Sequence, residues 1–169
     1  MTPITTEPAL LDYLGAQAIP YSRMAHPPVY TCEEAAQYRP PMPGVETKNL
    51  FLRDEKHHFY LVMTACEKRL DLKQLGKVLG TSKLHFGDEP SLLALLGVTP
   101  GAVTVLGLIN DPDQQIELVA DSDIWNGAFF LCHPLVNTAT LVLAQADLRR
   151  FFTLTGHTPR IVEVPERPV

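Results

Sequence analysis

A lysine and an asparagine stand side by side where an apolar segment begins. The stretch "TKNLFLRD" (47–54) places Lys48 and Asn49 directly before the apolar run 50–52. An ammonium group can make charge-assisted hydrogen bonds to phosphate or ester oxygens, and an amide can both donate and accept. The same two residue types are also common at the exposed end of a strand. The residues alone leave both interpretations open.

A cysteine and a histidine are adjacent at the end of a second apolar run, "AFFLCHP" (128–134). A nucleophilic Cys132 would need a nearby base and an activating environment, whereas a thiol inside an apolar strand is usually buried and inert. His133 lies where the predicted strand breaks at a proline, and such ends commonly line clefts. A histidine in this position fits a site residue and a packing residue equally well.

The chain lacks the familiar catalytic and metal-binding motifs: GxSxG, GxxxxGK, GxGxxG and HExxH are all absent. The nearest candidate for a metal site combines the pair Cys132 and His133 with the pair His57 and His58. Adjacent strand residues point to opposite faces, so each pair can offer only one ligand to a common site. We therefore expect no metal site.

Two glycines bracket a short turn in "LLGVTPGAV" (95–103). Gly97 follows a predicted helix and Gly101 precedes the next apolar run. Such glycines let a backbone approach a ligand closely and offer bare N–H groups to an anion or a carbonyl. A helix C-cap followed by a turn explains the same pattern, and the residues do not decide between the two.

The elements that must position these residues follow from periodicity and from capping signals. Helices are predicted at 7–17, 31–39, 70–80, 88–97 and 145–156, the second of them from the capping-box spacing of Thr31 and Glu34. The proline-rich segment 40–44 reads as a loop. Strands are predicted at 19–26, 47–54, 57–64, 102–109, 116–121, 128–134, 138–144 and 160–164. Since strands and helices do not alternate regularly, the pattern predicts an α+β domain with a mixed or antiparallel sheet.

Composition limits the class of protein. With 169 residues and 46% hydrophobic content, residues 1–169 are expected to form one domain. The net charge of −5 argues against a protein that coats nucleic acid by bulk electrostatics, although a small local contact is compatible with it. The three cysteines are odd in number and far apart, which favours free thiols and a reducing compartment. We expect a cytoplasmic protein, since no segment resembles a signal peptide or a membrane span.

Five segments together resemble a known family. They are "KNLFLRD" (48–54), "LDLKQLGKVLG" (70–80), "LLGVTPGAVTVLGLIND" (95–111), "CHPLVNTATLVL" (132–143) and "DLRRFFTLTGHTPRIVEV" (147–164). In this order they resemble the YbaK and ProX group of free-standing aminoacyl-tRNA deacylases, which are relatives of the editing domain of bacterial prolyl-tRNA synthetases. The first and last segments are most similar to the ProX branch, which removes alanine wrongly attached to the proline tRNA. The resemblance covers nearly the whole chain.

The resemblance implies a fold and a set of site residues. The expected fold is α+β, with a curved mixed sheet that is partly barrel-like and wrapped by helices. The residues it assigns to catalysis are Lys48, Gly97 and His133. The residues it assigns to substrate binding are Asn49, Thr99, Pro100, Gly101 and Asn137.

The implied reaction needs few special groups. Hydrolysis of an aminoacyl ester requires a nucleophilic water, a proton carrier and donors for the oxyanion, and no metal or cofactor is expected. In the family, a free hydroxyl of the terminal adenosine is thought to take part. A pocket that accepts alanine and refuses proline can select by size, and we expect its walls to come from "AIPYSRM" (18–24) and "AFFL" (128–131).

The expected partner is the acceptor end of aminoacylated tRNA(Pro), with prolyl-tRNA synthetase as a candidate second partner and with neither membrane nor DNA involved. Two alternatives remain. The same machinery with a reshaped pocket would serve cysteinyl- or seryl-tRNA(Pro), or the chain would be a non-catalytic module that binds tRNA acceptor ends.

Overall fold

The computed structural model describes residues 2–39 and 44–168, so most of the predicted loop 40–44 lies outside the described residues. The helices are α1 (Glu7–Ala16), α2 (Cys32–Ala36), α3 (Leu72–Leu79), α4 (Glu89–Leu96), α5 (Ser122–Trp125) and α6 (Gln145–Thr155), together with a 3₁₀ helix (Val105–Asn110). The strands are β1 (Ser22–Ala25), β2 (Val45–Arg53), β3 (Phe59–Ala65), β4 (His85–Phe86), β5 (Ile116–Asp121), β6 (Phe129–Cys132), β7 (Ala139–Ala144) and β8 (Arg160–Val162).

The helix boundaries follow the capping residues that the sequence presents. Thr31 accepts the Glu34 N–H at 3.0 Å, which confirms the predicted start of α2 at this N-cap. Asp71 and Asp88 cap α3 and α4 in the same way. Gly80 ends α3 in the left-handed conformation, as a glycine does at little cost.

The segment predicted as a strand at 102–109 forms no strand: residues 102–104 are irregular and a 3₁₀ helix follows at Val105–Asn110, so that prediction is wrong. The Thr104 hydroxyl oxygen accepts the Leu106 N–H at 3.2 Å and closes a tight turn there. All residues from 105 to 109 are buried, and burial on every side removes the periodicity that distinguishes a strand from a helix. The short elements β4 and α5 also had no sequence signal of their own.

The strands form one mixed sheet in the order β1-β7-β6-β2-β3-β5-β8, with β4 paired to β2. The pairings β2 with β6, β3 with β5 and β5 with β8 are parallel, and the others are antiparallel. The α+β class with a mixed sheet is therefore confirmed. The sheet stays open, with β1 and β8 at its two ends, and does not close into a barrel.

Strand β2 joins the two halves of the sheet. It pairs with β6 only at Val45 and Glu46, and with β4 only at Leu52 and Arg53. Along the side of β2 that faces β6 and β4, the described strands leave residues 47–51 without a ladder partner, although the Phe51 carbonyl at the end of this segment accepts the Gly87 N–H at 2.9 Å. We call this segment the free edge of β2, and the candidate site lies on it.

Each face of the sheet is covered by helices. Phe51 and Leu61 belong to the larger buried cluster, which includes residues of α1, α4 and α6, whereas Leu52 and Val62 belong to a second cluster with residues of α3. This alternation is the period of two that a strand imposes. Burial on both faces holds β2 and β3 as a rigid support for the free edge. No helix among the described residues combines the length and the apolar character that crossing a membrane requires.

Two of the three cysteines are paired, which corrects the expectation of free thiols. Cys32, at the start of α2, forms a disulfide with Cys66, just after β3, with the two Cα atoms 5.7 Å apart. The partners are 34 residues apart in the chain, and only tertiary packing brings them together. The cysteine pattern therefore gives no support for a reducing compartment. Cys132 is free and buried.

Candidate functional site

A cavity of about 190 Å³ opens at the free edge of β2. It lies where the pairing of β2 with β6 ends, and α2 with the loop before it forms the opposite wall. The residues that line it are Val29, Tyr30, Thr31, Cys32, Ala35, Thr47, Lys48, Asn49, Cys66, Gly101, Val103 and His133.

The free edge explains how two adjacent strand residues reach one cavity. Lys48 and Asn49 leave opposite faces of β2, because side chains alternate along a strand. At a position without a neighbouring strand, both side chains can turn toward the same opening. The Thr47 hydroxyl donates to the Leu131 carbonyl at 3.0 Å and so ties β2 to β6 where the ladder stops.

The Lys48 ammonium group is held in place by the main chain. It donates a hydrogen bond to the carbonyl of Lys68. Burial lowers the pKa of Lys48, while the nearby carboxylates of Glu67 and Glu166 act in the opposite direction. The cation is thus oriented at the cavity and has donors to spare for a ligand.

Asn49 brings an unsatisfied polar atom to the cavity. Its side-chain carbonyl oxygen is buried and has no hydrogen-bond partner among the described residues. A buried acceptor of this kind is costly to leave unpaired, by about 1–3 kcal/mol. Because Asn49 lines the cavity, a ligand that carries an N–H or O–H group would satisfy it.

His133 follows β6 directly, and only one of its ring nitrogens has a hydrogen-bond partner among the described residues. Its Nδ1 lies 3.2 Å from the Ala139 carbonyl oxygen. A carbonyl can only accept, so Nδ1 carries the proton and Nε2 of the neutral ring is the acceptor. Burial lowers the pKa of His133, and the nearby His26 adds to this effect. The ring is therefore neutral at pH 7.

The structure separates the residues of the glycine loop. Gly101, with φ of 92°, lines the cavity, and a Cβ built there would lie 3.2 Å from the Tyr30 ring. Gly97, with φ of 69°, is the C-cap of α4 and faces Asn110 and Thr5 instead of the cavity. Thr99 and Pro100 are exposed at the tip of the loop and do not line the cavity.

Asn137 supports the wall of the cavity. Its side-chain amide donates to the Val29 carbonyl at 3.0 Å, and the Val29 N–H donates back to the Asn137 carbonyl at 3.2 Å. The amide nitrogen also lies 3.7 Å from the Cβ position of Gly101. Asn137 thus fixes the segment before α2 against the loop that carries Gly101.

Sequence reasoning missed most of the apolar wall. Apart from the disulfide, the wall comes from Val29, Tyr30, Ala35 and Val103. The expected contribution from 18–24 is not found among the lining residues. The spacing of Thr31 and Glu34 predicted helix α2, but it carried no information about the cavity that this helix borders.

A narrow annex of about 40 Å³ extends from the cavity toward β6. Five of its lining residues also line the main cavity: Ala35, Thr47, Asn49, Cys66 and His133. Its other lining residues are Tyr38, Arg39, Glu46, Leu131, Cys132 and Thr140. Of the expected "AFFL" segment, Leu131 does line this annex. Its small volume favours a small group.

Across residues 2–39 and 44–168, no group of three or more His, Cys, Asp or Glu side chains is arranged to hold a metal ion.

Comparison with known proteins assigns the chain to a family. A family model described as the aminoacyl-tRNA editing domain matches residues 26–151. The chain is 35% identical over 157 residues to the prolyl-tRNA editing protein ProX of Acetoanaerobium sticklandii, covering 92% of this chain and 96% of that protein. It is also 35% identical over 164 residues to the prolyl-tRNA synthetase associated domain-containing protein 1 of Danio rerio, covering 96% of this chain and 89% of that protein.

A solved structure shares the fold. The protein provisionally described as a trans-editing enzyme for prolyl-tRNA synthetase superposes with a TM-score of 0.69 at 20% identity, over 99% of both chains. The YbaK and ProX resemblance drawn from the sequence is confirmed by these matches.

Proposed function

The chain belongs to the aminoacyl-tRNA editing domain family, and from this premise we propose that it is a free-standing deacylase that hydrolyses alanyl-tRNA(Pro). Deacylation by an editing domain cleaves the ester between an amino acid and the terminal ribose of a tRNA. The observation that carries the proposal is the convergence of Lys48, Asn49, Gly101 and His133 on one cavity. These residues come from three separate parts of the chain.

The proline tRNA is the substrate class that the relatives support. Both the ProX relative and the vertebrate relative are named for prolyl-tRNA or its synthetase. Each similarity extends over nearly the full length of both proteins. We assign the same tRNA to this chain.

Lys48 and Asn49 bind the end of the tRNA. The ammonium group, held on the Lys68 carbonyl, has two N–H donors left for a phosphate or ester oxygen. The unsatisfied Asn49 oxygen accepts from the α-ammonium group of the amino acid or from a ribose hydroxyl. Together they place the ester carbonyl in the cavity, and such positioning accounts for much of the rate in a reaction that needs no covalent intermediate.

His133 handles the proton. His133 lines the cavity, and the Nδ1–H bond to the Ala139 carbonyl fixes the tautomer in which Nε2 is the acceptor. A water molecule attacks the ester carbonyl and transfers a proton to Nε2, directly or through the adjacent ribose hydroxyl. The imidazolium then returns that proton to the ribose oxygen that leaves when the ester bond breaks. The backbone N–H groups of the loop at Gly101 are the candidate donors for the oxyanion.

Gly97 acts indirectly, through the conformation of the loop. We assign it the role of setting the turn between α4 and Gly101, because its own surroundings are Asn110 and Thr5. Thr99 and Pro100, at the exposed tip, contact the tRNA outside the cavity.

The annex supports alanine as the amino acid that is removed. Its volume of about 40 Å³ and its boundaries at Tyr38, Leu131 and Thr140 suit a methyl group. The five-membered ring of proline, closed onto its own nitrogen, would have to enter beside Asn49 and overfill the space, and overpacking is costly. Serine and cysteine are larger than alanine by one polar atom and remain the alternative substrates.

We propose that residues 1–169 act as one domain in the cytoplasm. One sheet runs from β1 near the N-terminus to β8 near the C-terminus, which supports a single unit. Prolyl-tRNA synthetase is the candidate partner because it produces the mischarged tRNA.

The proposal is tested with Lys48→Met. We expect kcat/KM for alanyl-tRNA(Pro) to fall by about 10- to 100-fold, from the loss of one charge-assisted hydrogen bond of about 1.5–3 kcal/mol. Lys56→Met is the matched control, since Lys56 is exposed in the β2–β3 turn. Equal activity of the two variants would refute the role of Lys48.

A non-catalytic module that binds tRNA ends is the second candidate, because the cavity could bind without hydrolysis. It predicts that the wild-type chain binds uncharged tRNA(Pro) but leaves the ester intact beyond the spontaneous rate. Turnover of alanyl-tRNA(Pro) that depends on His133 excludes it.

A further inference from the structure

A second depression adjoins the candidate site. It has a volume of about 390 Å³, and Lys48 lines both it and the site cavity. Its cations are Lys48, Arg69 and Arg167, and its apolar residues include Leu50, Leu70 and Phe86. We call it the basic groove, and it adjoins the site at Lys48, which lines both.

Main-chain pairing sets two arginines next to each other in this groove. Leu70 forms a β-bridge with Glu166, and the Arg167 N–H donates to the Arg69 carbonyl at 2.8 Å. Arg69 and Arg167 are therefore neighbours across the pairing, and both are exposed. Neither forms an ion pair with any described residue. Like charges facing each other across strands are destabilising, and an anion bound between them would relieve the repulsion.

The local charge differs from that of the whole chain. The groove holds three cations, and the carboxylates that act on Lys48 are Glu67 and Glu166. The chain as a whole carries a net charge of −5. A polyanion would therefore meet this surface more favourably than the average surface, and contact with a few phosphates is enough.

The far end of the groove carries an exposed aromatic ring. Phe86 is 63% exposed although it sits in β4, where it pairs with Leu52. Leu50 and Leu70 lie in the same depression. A ring of this kind beside arginines is the usual combination for single-stranded nucleic acid, because bases stack on the ring while cations follow the phosphates.

The length of the groove suits a short single strand. Phe86 is the partner of Leu52, four residues along β2 from Lys48, which corresponds to about 13 Å at about 3.3 Å per residue. Stacked nucleotides advance by about 3.4 Å each. About four stacked nucleotides therefore span the distance between Lys48 and Phe86.

We propose that the basic groove binds the unpaired nucleotides that immediately precede the terminal adenosine of the tRNA. This inference rests on the proposed function, which sets the terminal adenosine and its ester beside Lys48. Arg69 and Arg167 contact the phosphates, and Phe86 stacks on a base. The groove fixes the direction in which the strand enters the cavity.

The test compares binding of two RNA probes. One is an acceptor-stem minihelix with its unpaired 3′ nucleotides, and the other is the same hairpin without them. The variants are Phe86→Ala, Phe86→Leu and the double variant Arg69→Gln/Arg167→Gln, with Arg149→Gln on the exposed side of α6 as the control. Fluorescence anisotropy over a salt series gives Kd and its salt dependence.

We expect Phe86→Ala to weaken binding of the complete minihelix by about 10-fold or more, with Phe86→Leu intermediate and Arg149→Gln unchanged. The double arginine variant should reduce the salt slope by about 1.4, at about 0.7 per single-strand phosphate. The hairpin without the 3′ nucleotides should not distinguish the variants from wild type. Equal affinities for the complete minihelix, or an equal loss on both probes, would overturn the inference.

Kinetics separates this inference from the proposed function. If wild type hydrolyses alanyl-tRNA(Pro) and the variants raise KM with kcat within twofold, the groove is supported. If wild type hydrolyses the ester and KM does not change, the groove is refuted while the function stands. If wild type hydrolyses no mischarged tRNA but binding still depends on Phe86 and on the 3′ nucleotides, the function fails and the groove stands.

Discussion

Comparing three glycines in the left-handed conformation distinguishes a glycine that stabilises the fold from one that takes part in the reaction. Gly80, Gly97 and Gly101 have φ of 71°, 69° and 92°. Alanine at any of them costs about 1–2 kcal/mol, because a Cβ disfavours this conformation. Beyond that shared cost, the three sites differ in what the new methyl group meets.

At Gly80 nothing lies within 4 Å of the added Cβ, so Gly80→Ala measures the backbone cost alone. At Gly97 the Cβ would lie 2.6 Å from the side-chain nitrogen of Asn110. That amide donates to the carbonyls of Ile4 at 2.7 Å and Leu96 at 3.0 Å. Displacing it loses one or two hydrogen bonds of about 1 kcal/mol each.

We therefore expect Gly97→Ala to lower the free energy of unfolding by about 2–4 kcal/mol, against about 1–2 kcal/mol for Gly80→Ala. The corresponding drop in Tm for Gly97→Ala is about 5–15 °C. Gly101→Ala should cost about as much as Gly80→Ala, because the ring it approaches belongs to Tyr30, which is 71% exposed and can move. Only Gly101→Ala should lower kcat/KM by 10-fold or more.

Urea unfolding gives the stabilities, and single-turnover deacylation at a temperature where all three variants are folded gives the rates. If Gly97→Ala were as stable as Gly80→Ala but had lost the deacylation rate, Gly97 would act directly in catalysis, and its assignment as a structural residue would be wrong. An unchanged rate in Gly101→Ala would contradict the assignment of the cavity.

Further predictions concern acid, reduction and chelation. Because burial lowers the pKa of His133, its ring stays neutral and active as pH falls. The acid limb of the kcat/KM profile should therefore have its midpoint below the ordinary histidine pKa of about 6.5. His133→Gln should be slow and lack that limb, and an unchanged pH profile in this variant would exclude His133 as the proton acceptor. Reducing the disulfide between Cys32 and Cys66, or replacing Cys66 in Cys66→Ser, should lower the free energy of unfolding by about 3–4 kcal/mol, because the cross-link restricts the unfolded chain. Urea unfolding measures this loss, and a loss below about 1 kcal/mol would show that the bond does not constrain the chain. Burial raises the pKa of Cys132 to about 12, so this thiol should react with maleimide only on unfolding, and rapid labelling of the native protein would contradict its burial. Pre-treatment of the protein with EDTA, followed by its removal before tRNA is added, should leave the deacylation rate unchanged, and a loss restored by zinc would overturn the expectation of a metal-free reaction.

Local signals in the sequence predicted the local parts of the fold. Helix starts could be predicted at Thr31, Asp71 and Asp88, because each side chain accepts the backbone N–H of the residue three positions later. The hairpin of β2 and β3 follows from alternating apolar residues around a polar turn. The prediction of a strand at 102–109 was wrong because residues 105–109 are all buried, which leaves no periodicity to distinguish a strand from a helix.

The site itself depended on long-range pairing that no local pattern contains. The resemblance to the family indicated Lys48 and His133 as site residues. They share a cavity because β2 pairs with β6 at only two residues. The disulfide of Cys32 with Cys66 links residues that only this arrangement brings together. Gly97 and Gly101 look alike in sequence, and only their positions relative to the cavity separate them.

Selective hydrolysis of a mischarged proline tRNA can be measured with four aminoacylated forms of the same tRNA. Purified protein is incubated with alanyl-, prolyl-, cysteinyl- and seryl-tRNA(Pro), and the initial rate of ester loss is measured for each against the spontaneous rate. We predict rapid loss of alanine with prolyl-tRNA(Pro) left intact, and the Lys48→Met variant slow on all four. Hydrolysis of prolyl-tRNA(Pro) at the same rate as alanyl-tRNA(Pro), or of neither above the spontaneous rate, would contradict the account.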